Sequence, residues 1–222
     1  MITRVGMAPR ASGLTYEGFQ EHWRSEHAGL AGELPGLRGY VQNHAVLDDG
    51  RPRLPYPGFD ACSEISFDSL AAMDEAFASE HYLGAVTADE HSLIDKSRFG
   101  LLLCERRVLL DEQPATDSVK LLTFLPVDPR STRAALDEVL AGPYREIAAE
   151  ARPQRHEQLL EIPGAHEGRL PAVCAAVDIL WFESPERALA FVNGEAGHRA
   201  GYALAGTAFG LERVLARPIR IV

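Results

Sequence analysis

The chain has 222 residues, a formal net charge of −10 and 46% hydrophobic residues, which suits a globular protein of one domain or two small ones. Its acidic residues are spread out and no basic face is clustered, which argues against nucleic-acid binding. No apolar run is long enough to cross a membrane, the start lacks a signal-peptide core, and the three cysteines lie far apart. We therefore expect a cytoplasmic protein without a disulfide framework.

The first half of the chain has the pattern strand, helix, strand, strand, helix, strand. Thr15 is expected to cap the first helix, and Pro35-Gly36 to end it. Ser69 is expected to cap the second helix, and Thr87–Glu90 has the pattern of a capping box for a short extra helix. The strands are expected at Thr3–Pro9, Leu37–Val46, Phe59–Phe67 and Phe99–Leu110, with a Gly- and Pro-rich loop at Asp48–Gly58.

The same order of elements recurs after the polar linker Asp111–Asp117. Phe67-Asp68-Ser69 introduces the second helix of the first half, and Phe182-Glu183-Ser184 introduces that of the second half. Ser184 caps this helix and Pro185 takes its first position. The period is about 110–115 residues, which indicates a duplicated domain with repeats at 1–110 and 118–222. The other elements of the second repeat are strand Val119–Val127, helix Ser131–Ala151, and strands Gln154–Ile162, Ala172–Glu183 and Leu211–Val222.

Each repeat is thus β-α-β-β-α-β, the ferredoxin-like split unit, whose sheet carries helices on one face only. Two such units in one chain can cover each other, sheet against sheet. The predicted fold is therefore α+β, with two tandem ferredoxin-like repeats closing an intrachain barrel. We expect a monomer with an internal pseudo-dimer, and leave a further homodimer open.

Alternation along the second strand suggests a ligand site. Tyr40, Gln42 and His44 share one face, and the opposite face carries Leu37 and Val41. If the apolar face meets the helices, the polar face looks into the space between the sheets. There His44 would be a proton shuttle, Tyr40 would hold an oxyanion and Gln42 would bind substrate, in a pocket for a drug-sized ligand. The alternative is a solvated strand end beside the following loop.

His27 lies on the apolar face of the first helix, together with Trp23. We expect both to be structural, with His27 hydrogen-bonded to the neighbouring strand through Asn43. The alternative for His27 is an acid or base at the barrel wall.

Two carboxylates interrupt apolar strands, Asp178 in the second repeat and Glu64 in the corresponding strand of the first. Burial raises the pKa of a carboxyl group and makes an acid–base or substrate-binding role conceivable. The alternative for Asp178 is an ion pair with Arg213 or another strand arginine.

The first half resembles a known family. Phe19, Trp23 and His27 form F-x-x-x-W-x-x-x-H, Leu34–Asn43 forms L-P-G-L-R-x-Y-x-x-N, and Ala88-Asp89-Glu90 precedes the last strand. These motifs are similar to those of the EthD family of the dimeric α+β barrel superfamily. The resemblance implies a barrel and small-molecule chemistry, but fold does not fix function.

Because cyclases of that superfamily carry a working histidine after the second helix, the resemblance implies a catalytic role for His81. His198 in the second repeat is then a candidate for substrate binding. The alternative for each is a helix-end histidine that faces water.

No phosphate-binding glycine loop or dinucleotide fingerprint is present, and the spacing of His22 and His27 does not suggest a metal site. The leading hypothesis is a lyase, cyclase or isomerase without cofactor or metal, acting by acid–base chemistry on a hydrophobic oxygenated small molecule, such as a polyketide or an aromatic catabolic intermediate. The alternatives are a cofactor-free monooxygenase and a non-catalytic binding protein for such a molecule.

Overall fold

A computed structural model describes residues 1–222 of the chain. The strands are β1 (Ile2–Ala8), β2 (Leu37–Ala45), β3 (Leu47–Asp48), β4 (Arg51–Pro52), β5 (Ala61–Phe67), β6 (Gly100–Asp111), β7 (Val119–Leu125), β8 (Arg155–Glu161), β9 (Ala176–Phe182) and β10 (Glu212–Arg220). The α-helices are α1 (Tyr16–His22), α2 (Ala28–Gly32), α3 (Leu70–Phe77), α4 (Thr87–Leu93), α5 (Arg133–Ala141), α6 (Pro143–Glu150), α7 (Pro185–Asn193) and α8 (Glu195–Leu204). None of these helices has the length and apolar content needed to cross a bilayer.

The long strands follow one another in the order β1-β5-β2-β10-β7-β9-β8-β6, which is a closed barrel. The predicted α+β barrel class is therefore confirmed. The chain also divides into two compact units that are not contiguous in sequence. The first comprises Met1–Glu105, Glu161–Ala172 and Pro218–Val222, and the second comprises Arg106–Leu160 and Val173–Arg217.

The first unit has an antiparallel sheet in the order β6-β1-β5-β2. Apolar side chains of the sheet and of the helices form its core. Phe19, Trp23 and Leu93 pack with Ala8 and Ala61. The small strand residues leave room for the phenyl ring of Phe19 on α1 and for the indole of Trp23 directly after it, so this helix lies close to the sheet.

The first helix begins where it was predicted, because the Thr15 side chain accepts a hydrogen bond from the backbone N–H of Gly18. The helix then passes through a π-helical segment, Trp23–His27, before α2. Gly36 follows with a φ of 71°, a left-handed conformation that favours glycine and turns the chain into β2.

The second helix of the first unit also begins as predicted, with the Ser69 side chain accepting from the N–H of Ala72. The predicted capping box at Thr87–Glu90 is wrong. A π-helical segment, Tyr82–Val86, runs directly into α4. Thr87 therefore lies within a continuing helix and has no helix N-terminus to cap.

The second unit repeats this architecture, with an antiparallel sheet in the order β10-β7-β9-β8. The predicted single helix over 131–151 is two helices, because Pro143 lacks an N–H and α6 starts anew at this residue after Gly142. Ser184 caps α7 by accepting from the N–H of Arg187, and Pro185 takes the first position, as predicted.

Candidate active site in the first unit

A cavity of about 40 Å³ lies between the helices and the sheet of the first unit. This volume holds only a few water molecules, so the drug-sized pocket predicted beside Tyr40 is not present at this place. Its walls are mainly apolar and aromatic, and a few polar groups converge on it. The lining residues with polar or ionisable side-chain groups are Arg4, Trp23, His27, Tyr40, Ser63, Tyr82 and Glu90.

Both π-helical segments supply walls of this cavity. Trp23 and His27 come from the ends of the first segment, and Tyr82 and Val86 from the ends of the second. Short π-helical segments inside α-helices are rare and are frequently found at functional sites. Both interruptions of regular helix thus occur where residues face the same space.

The prediction of which face of β2 meets the helices is wrong, because Tyr40, Gln42 and His44 lie on that face. Gln42 Nε2 donates to the backbone oxygen of Trp23 at 2.7 Å, and the ring centroids of His44 and Trp23 are 4.6 Å apart. The reason is an irregularity in the pairing with β5 between Leu37 and Gly39. An extra residue there reverses the alternation, so Leu37 and Tyr40 face the helices together.

These three polar residues form a chain of hydrogen bonds behind the cavity. His44 Nε2 donates to Gln42 Oε1 at 2.8 Å, and Gln42 Nε2 donates to the Tyr40 hydroxyl at 2.9 Å. Burial, with a smaller contribution from Arg24, lowers the pKa of His44 to about 4. His44 is therefore neutral near pH 7, and it is not among the residues that line the cavity.

Tyr40 is the member of the chain that reaches the cavity. Its oxygen accepts hydrogen bonds from Gln42 and from the Trp23 side chain, which leaves the hydroxyl hydrogen to donate elsewhere. Burial raises the pKa of Tyr40 well above its usual value, despite these two hydrogen bonds. The phenol thus stays protonated and is a hydrogen-bond donor at the cavity wall.

His27 is bound to a carboxylate that the sequence analysis did not assign to it. Its Nδ1 donates to Asp89 Oδ2 at 2.8 Å, and His22 Nε2 donates to Asp89 Oδ1 at 2.6 Å. The predicted bond between His27 and Asn43 is wrong, since Asn43 lies on the opposite face of β2, next to Gln42 in sequence. With Nδ1 as the donor to a carboxylate, Nε2 of His27 carries the lone pair.

Asn43 and Glu64 share the sheet face that points away from the helices. Asn43 Nδ2 donates to Glu64 Oε1 at 2.9 Å and to the backbone oxygen of Cys62 at 3.2 Å. Glu64 is 2% exposed. Neither residue lines the cavity, so the structure does not bring Glu64 to Tyr40.

Arg4 projects from the central strand β1 into the cavity wall. Its guanidinium carbon lies 4.2 Å from the ring centroid of Phe77 and 5.0 Å from that of Phe99. Burial lowers the pKa of Arg4, opposed by the nearby Tyr82 and Glu90. The guanidinium makes no hydrogen bond or ion pair within the protein.

Glu90 is the other charged group in the lining. Its Oε2 accepts from Lys96 Nζ at 2.6 Å and from the Tyr82 hydroxyl at 3.3 Å. The carboxylate is therefore paired, whereas Arg4 is not.

The histidines proposed from the resemblance lie elsewhere. His81 is outside the cavity lining, where its Nε2 donates to the backbone oxygen of Leu30 at 2.8 Å and ties the second π-helical segment to α2. His198 is exposed on α8 in the second unit. The structure thus does not place either histidine in the candidate site.

Asp178 belongs to a buried polar cluster in the second unit. Its Oδ2 accepts from the Tyr144 hydroxyl at 2.9 Å, and its Oδ1 accepts from His156 Nε2 at 2.7 Å and Gln158 Nε2 at 3.0 Å. The predicted partner Arg213 is not among them. Asp178 is 0% exposed, so this carboxylate is fully satisfied inside the protein.

A glutamine occupies corresponding strand positions in the two units. Gln42 on β2 is paired with Ser63, and Gln158 on β8 is paired with Asp178. Each glutamine Nε2 donates to a helix carbonyl, that of Trp23 at 2.7 Å and that of Leu140 at 3.3 Å. Where the first unit has a small cavity-lining serine, the second has the buried aspartate.

Sequence reasoning missed the roles of Arg4 and Asp89. Ala88-Asp89-Glu90 was noted only as part of a resemblance, and the contact between Asp89 and His27 spans 62 residues. Arg4 could have been noticed as a lone cation in an apolar strand. His27 and Trp23 were expected to be structural, yet both line the cavity.

Three of the neighbouring side chains are of metal-binding types. The ligand atoms of His22, Glu26 and Asp89 all lie within 4.8 Å of one another. However, His22 and Asp89 already share a 2.6 Å hydrogen bond, and the Glu26 side chain is 74% exposed. Hydrogen bonding accounts for this arrangement, and the predicted absence of a metal stays a prediction.

Residues 11–97 match the model of the EthD domain, which confirms the resemblance for the part of the chain that contains His27, Tyr40 and Asp89. No curated protein matches the chain. Solved structures share the fold over nearly the whole chain. The match to an anthrone oxidase-like protein has a TM-score of 0.65 at 14% identity and covers 99% of this chain and 93% of that protein's chain.

Two other structures show the same fold. A protein of Fusobacterium nucleatum subsp. nucleatum, provisionally named as a monooxygenase, has a TM-score of 0.62 at 8% identity, with 98% of this chain and 91% of its own covered. A mutant chlorite dismutase of Candidatus Nitrospira defluvii has a TM-score of 0.54 at 10% identity, with coverages of 99% and 92%. Such low identities establish the fold and nothing about chemistry.

Proposed function

We propose that this chain, whose residues 11–97 match the EthD domain, is a cofactor-independent lyase, cyclase or isomerase that moves a proton on a small oxygenated molecule. The observation that carries the proposal is the His27–Asp89 pair at the wall of a cavity that Tyr40 also lines. A base and an oxygen-binding donor around one enclosed space are what proton abstraction next to a carbonyl requires.

In the proposed reaction, Nε2 of His27 takes a proton from a carbon next to a carbonyl group. The electron pair of the broken C–H bond moves to the carbonyl oxygen and gives an enolate. The Tyr40 hydroxyl donates a hydrogen bond to that oxygen, and Asp89 stabilises the imidazolium. The imidazolium then returns the proton to another carbon in an isomerase or cyclase, or to a leaving group in a lyase.

His44 and Gln42 act on this reaction only through Tyr40. Their hydrogen bonds fix the tyrosine oxygen, so its hydrogen points to the ligand rather than to a protein acceptor. The high pKa of Tyr40 keeps the proton on the phenol through the reaction. Tyr40 is thus a hydrogen-bond donor and not a second base.

A substrate larger than a few water molecules has to displace part of the wall. The segment Tyr82–Val86 is suited to this movement, because Leu83, Gly84 and Ala85 at its centre are exposed. Lids of enzymes open in this way on the microsecond to millisecond scale.

The proposal is tested by deuterium exchange. The protein is incubated in D₂O with a panel of small ketones, lactones and keto acids, and loss of C–H signals next to each carbonyl is followed by ¹H NMR. For any compound that exchanges, His27→Gln should slow the exchange by about a hundredfold or more. His91→Gln, an exposed histidine on α4, is the matched control and should leave the rate unchanged. Equal rates for His27→Gln and the wild type would refute the proposal.

A cofactor-free monooxygenase is the second candidate, because the same enolate can react with O₂ in place of a proton. The fold shared with an anthrone oxidase-like protein makes it worth testing. Oxygen uptake during turnover identifies this outcome. Tight binding of a compound with neither exchange nor oxygen uptake identifies the third candidate, a binding protein.

A further inference from the structure

Arg4 is a half-buried cation of the cavity wall, and its guanidinium has no hydrogen-bonding partner within the protein. A guanidinium has five N–H donors, and enclosed polar groups are normally paired. Arg4 contacts the rings of Phe77 and Phe99, which use none of these donors. Desolvation is the largest influence on its pKa.

The carboxylate in the cavity lining does not supply the missing acceptor. Glu90 acts on Arg4 through space but is held by Lys96 and the Tyr82 hydroxyl. Two other strand arginines have carboxylate partners, Arg38 with Asp68 at 2.6 Å and Arg106 with Glu157 at 2.9 Å. Arg4 is therefore set apart by lining the cavity while lacking an acceptor.

From this we infer that the cavity takes an organic anion, whose carboxylate pairs with Arg4. A carboxylate matches the guanidinium with two parallel N–H···O bonds, and enclosure strengthens the pair. The placement of the remaining part of the ligand rests on the proposed function. The carboxylate lies on Arg4 while a carbonyl of the same molecule accepts from Tyr40 and its neighbouring C–H faces His27.

The substrate class that follows is a small keto acid or lactone acid with one negative charge. Tyr40 and Arg4 line the same small cavity, of about 40 Å³. The carboxylate and the reacting carbonyl are thus separated by few bonds. A neutral ketone of the same size would leave the Arg4 donors unpaired and should bind less well.

The two tryptophans allow binding to be observed without turnover. Trp23 lines the cavity, whereas Trp181 lies on β9 of the second unit. Levulinate, a keto carboxylate, and 2-hexanone, a neutral ketone of similar size, are titrated into ¹⁵N-labelled protein. We expect levulinate to shift the Trp23 indole N–H signal and not that of Trp181, with 2-hexanone at least tenfold weaker. Sodium chloride at equal ionic strength is the blank.

Arg4→Met keeps a long side chain between the rings and removes the charge. This variant should bind levulinate at least tenfold more weakly than the wild type and should bind 2-hexanone with unchanged affinity. Arg98→Met, which removes an exposed cation of the same unit, is the matched control. If Arg4→Met does not fold, Arg4→Lys keeps the charge without the fork and should lie between the two. Levulinate and 2-hexanone binding equally to the wild type, or levulinate binding unaffected by either Arg4 variant, would overturn the inference.

His27→Gln separates this inference from the proposed function. If the variant binds levulinate normally and loses exchange, both stand. If Arg4 controls binding but no compound of the panel exchanges, the anion site stands and the catalytic proposal fails. If exchange depends on His27 while Arg4→Met binds levulinate normally, the catalytic proposal stands and the anion site fails.

Discussion

The buried position of His44 predicts that acid destabilises the protein through this one residue. Its pKa of about 4 in the folded protein lies below the ordinary value of 6.5. The folded state therefore binds fewer protons than the unfolded state between these values. The stabilisation by neutral His44 is complete above pH 6.5 and is lost as the pH falls through 4. The difference between the two pKa values corresponds to a loss of about 3 kcal/mol in the free energy of unfolding between pH 7 and pH 4.

His44→Gln tests this number, since glutamine keeps an N–H donor for Gln42 but does not titrate. At pH 7 the variant should be less stable by about 1 kcal/mol, because the ring contact with Trp23 is lost. Near pH 4 it should be more stable than the wild type by about 2 kcal/mol. The free energy of unfolding is measured by urea titration at each pH. His91→Gln is the control and should follow the wild type. Parallel pH profiles for His44→Gln and the wild type would refute the burial argument.

Three further predictions concern stability, each measured by the same urea titration. Gly197→Ala should cost about 3 kcal/mol or more, because the added Cβ would lie 2.1 Å from the backbone oxygen of Phe191. The control Gly29→Ala places its Cβ where nothing lies within 4 Å, and it should stabilise its helix by up to about 1 kcal/mol. Similar effects at both sites would contradict the close packing at Gly197. Thr15→Ala should cost about 1 kcal/mol by removing the cap of α1, and Thr15→Ser should cost much less. Asp178→Asn should cost about 2 kcal/mol or more, since an NH₂ group replaces one of the two buried acceptor oxygens and faces a donor; unchanged stability would contradict this prediction.

Local features of the fold were predictable from the sequence. The caps Thr15, Ser69 and Ser184 bond to a backbone N–H three residues away, so the pattern contains both partners. The order of elements in each half was also recognisable, because the patterns that mark helices and strands lie within short stretches of sequence. The break at Pro143 was missed because the apolar period of the helix continues across it.

The candidate site was not predictable in the same way. The irregularity between Leu37 and Gly39 has no mark in the residue types, yet it reverses which face Tyr40 occupies. The two π-helical segments are of a rare kind, and no pattern of residues indicated either of them. Asp89 meets His27 through tertiary structure alone, so only the types of both residues, and not their pairing, could be read from the chain.

The glutamines Gln42 and Gln158 have a consequence for how such a chain can evolve. Two units of the same strand order in one gene mutate separately, whereas identical subunits of a homodimer must change together. The first unit can keep a serine opposite its glutamine, with open space and an unpaired arginine, both of which weaken a core. The second unit can meanwhile acquire Asp178 and the groups that satisfy it, and so gain rigidity at the expense of a site. If the first unit holds the proposed site, a tandem gene permits one half to serve ligand binding while the other half adds to stability.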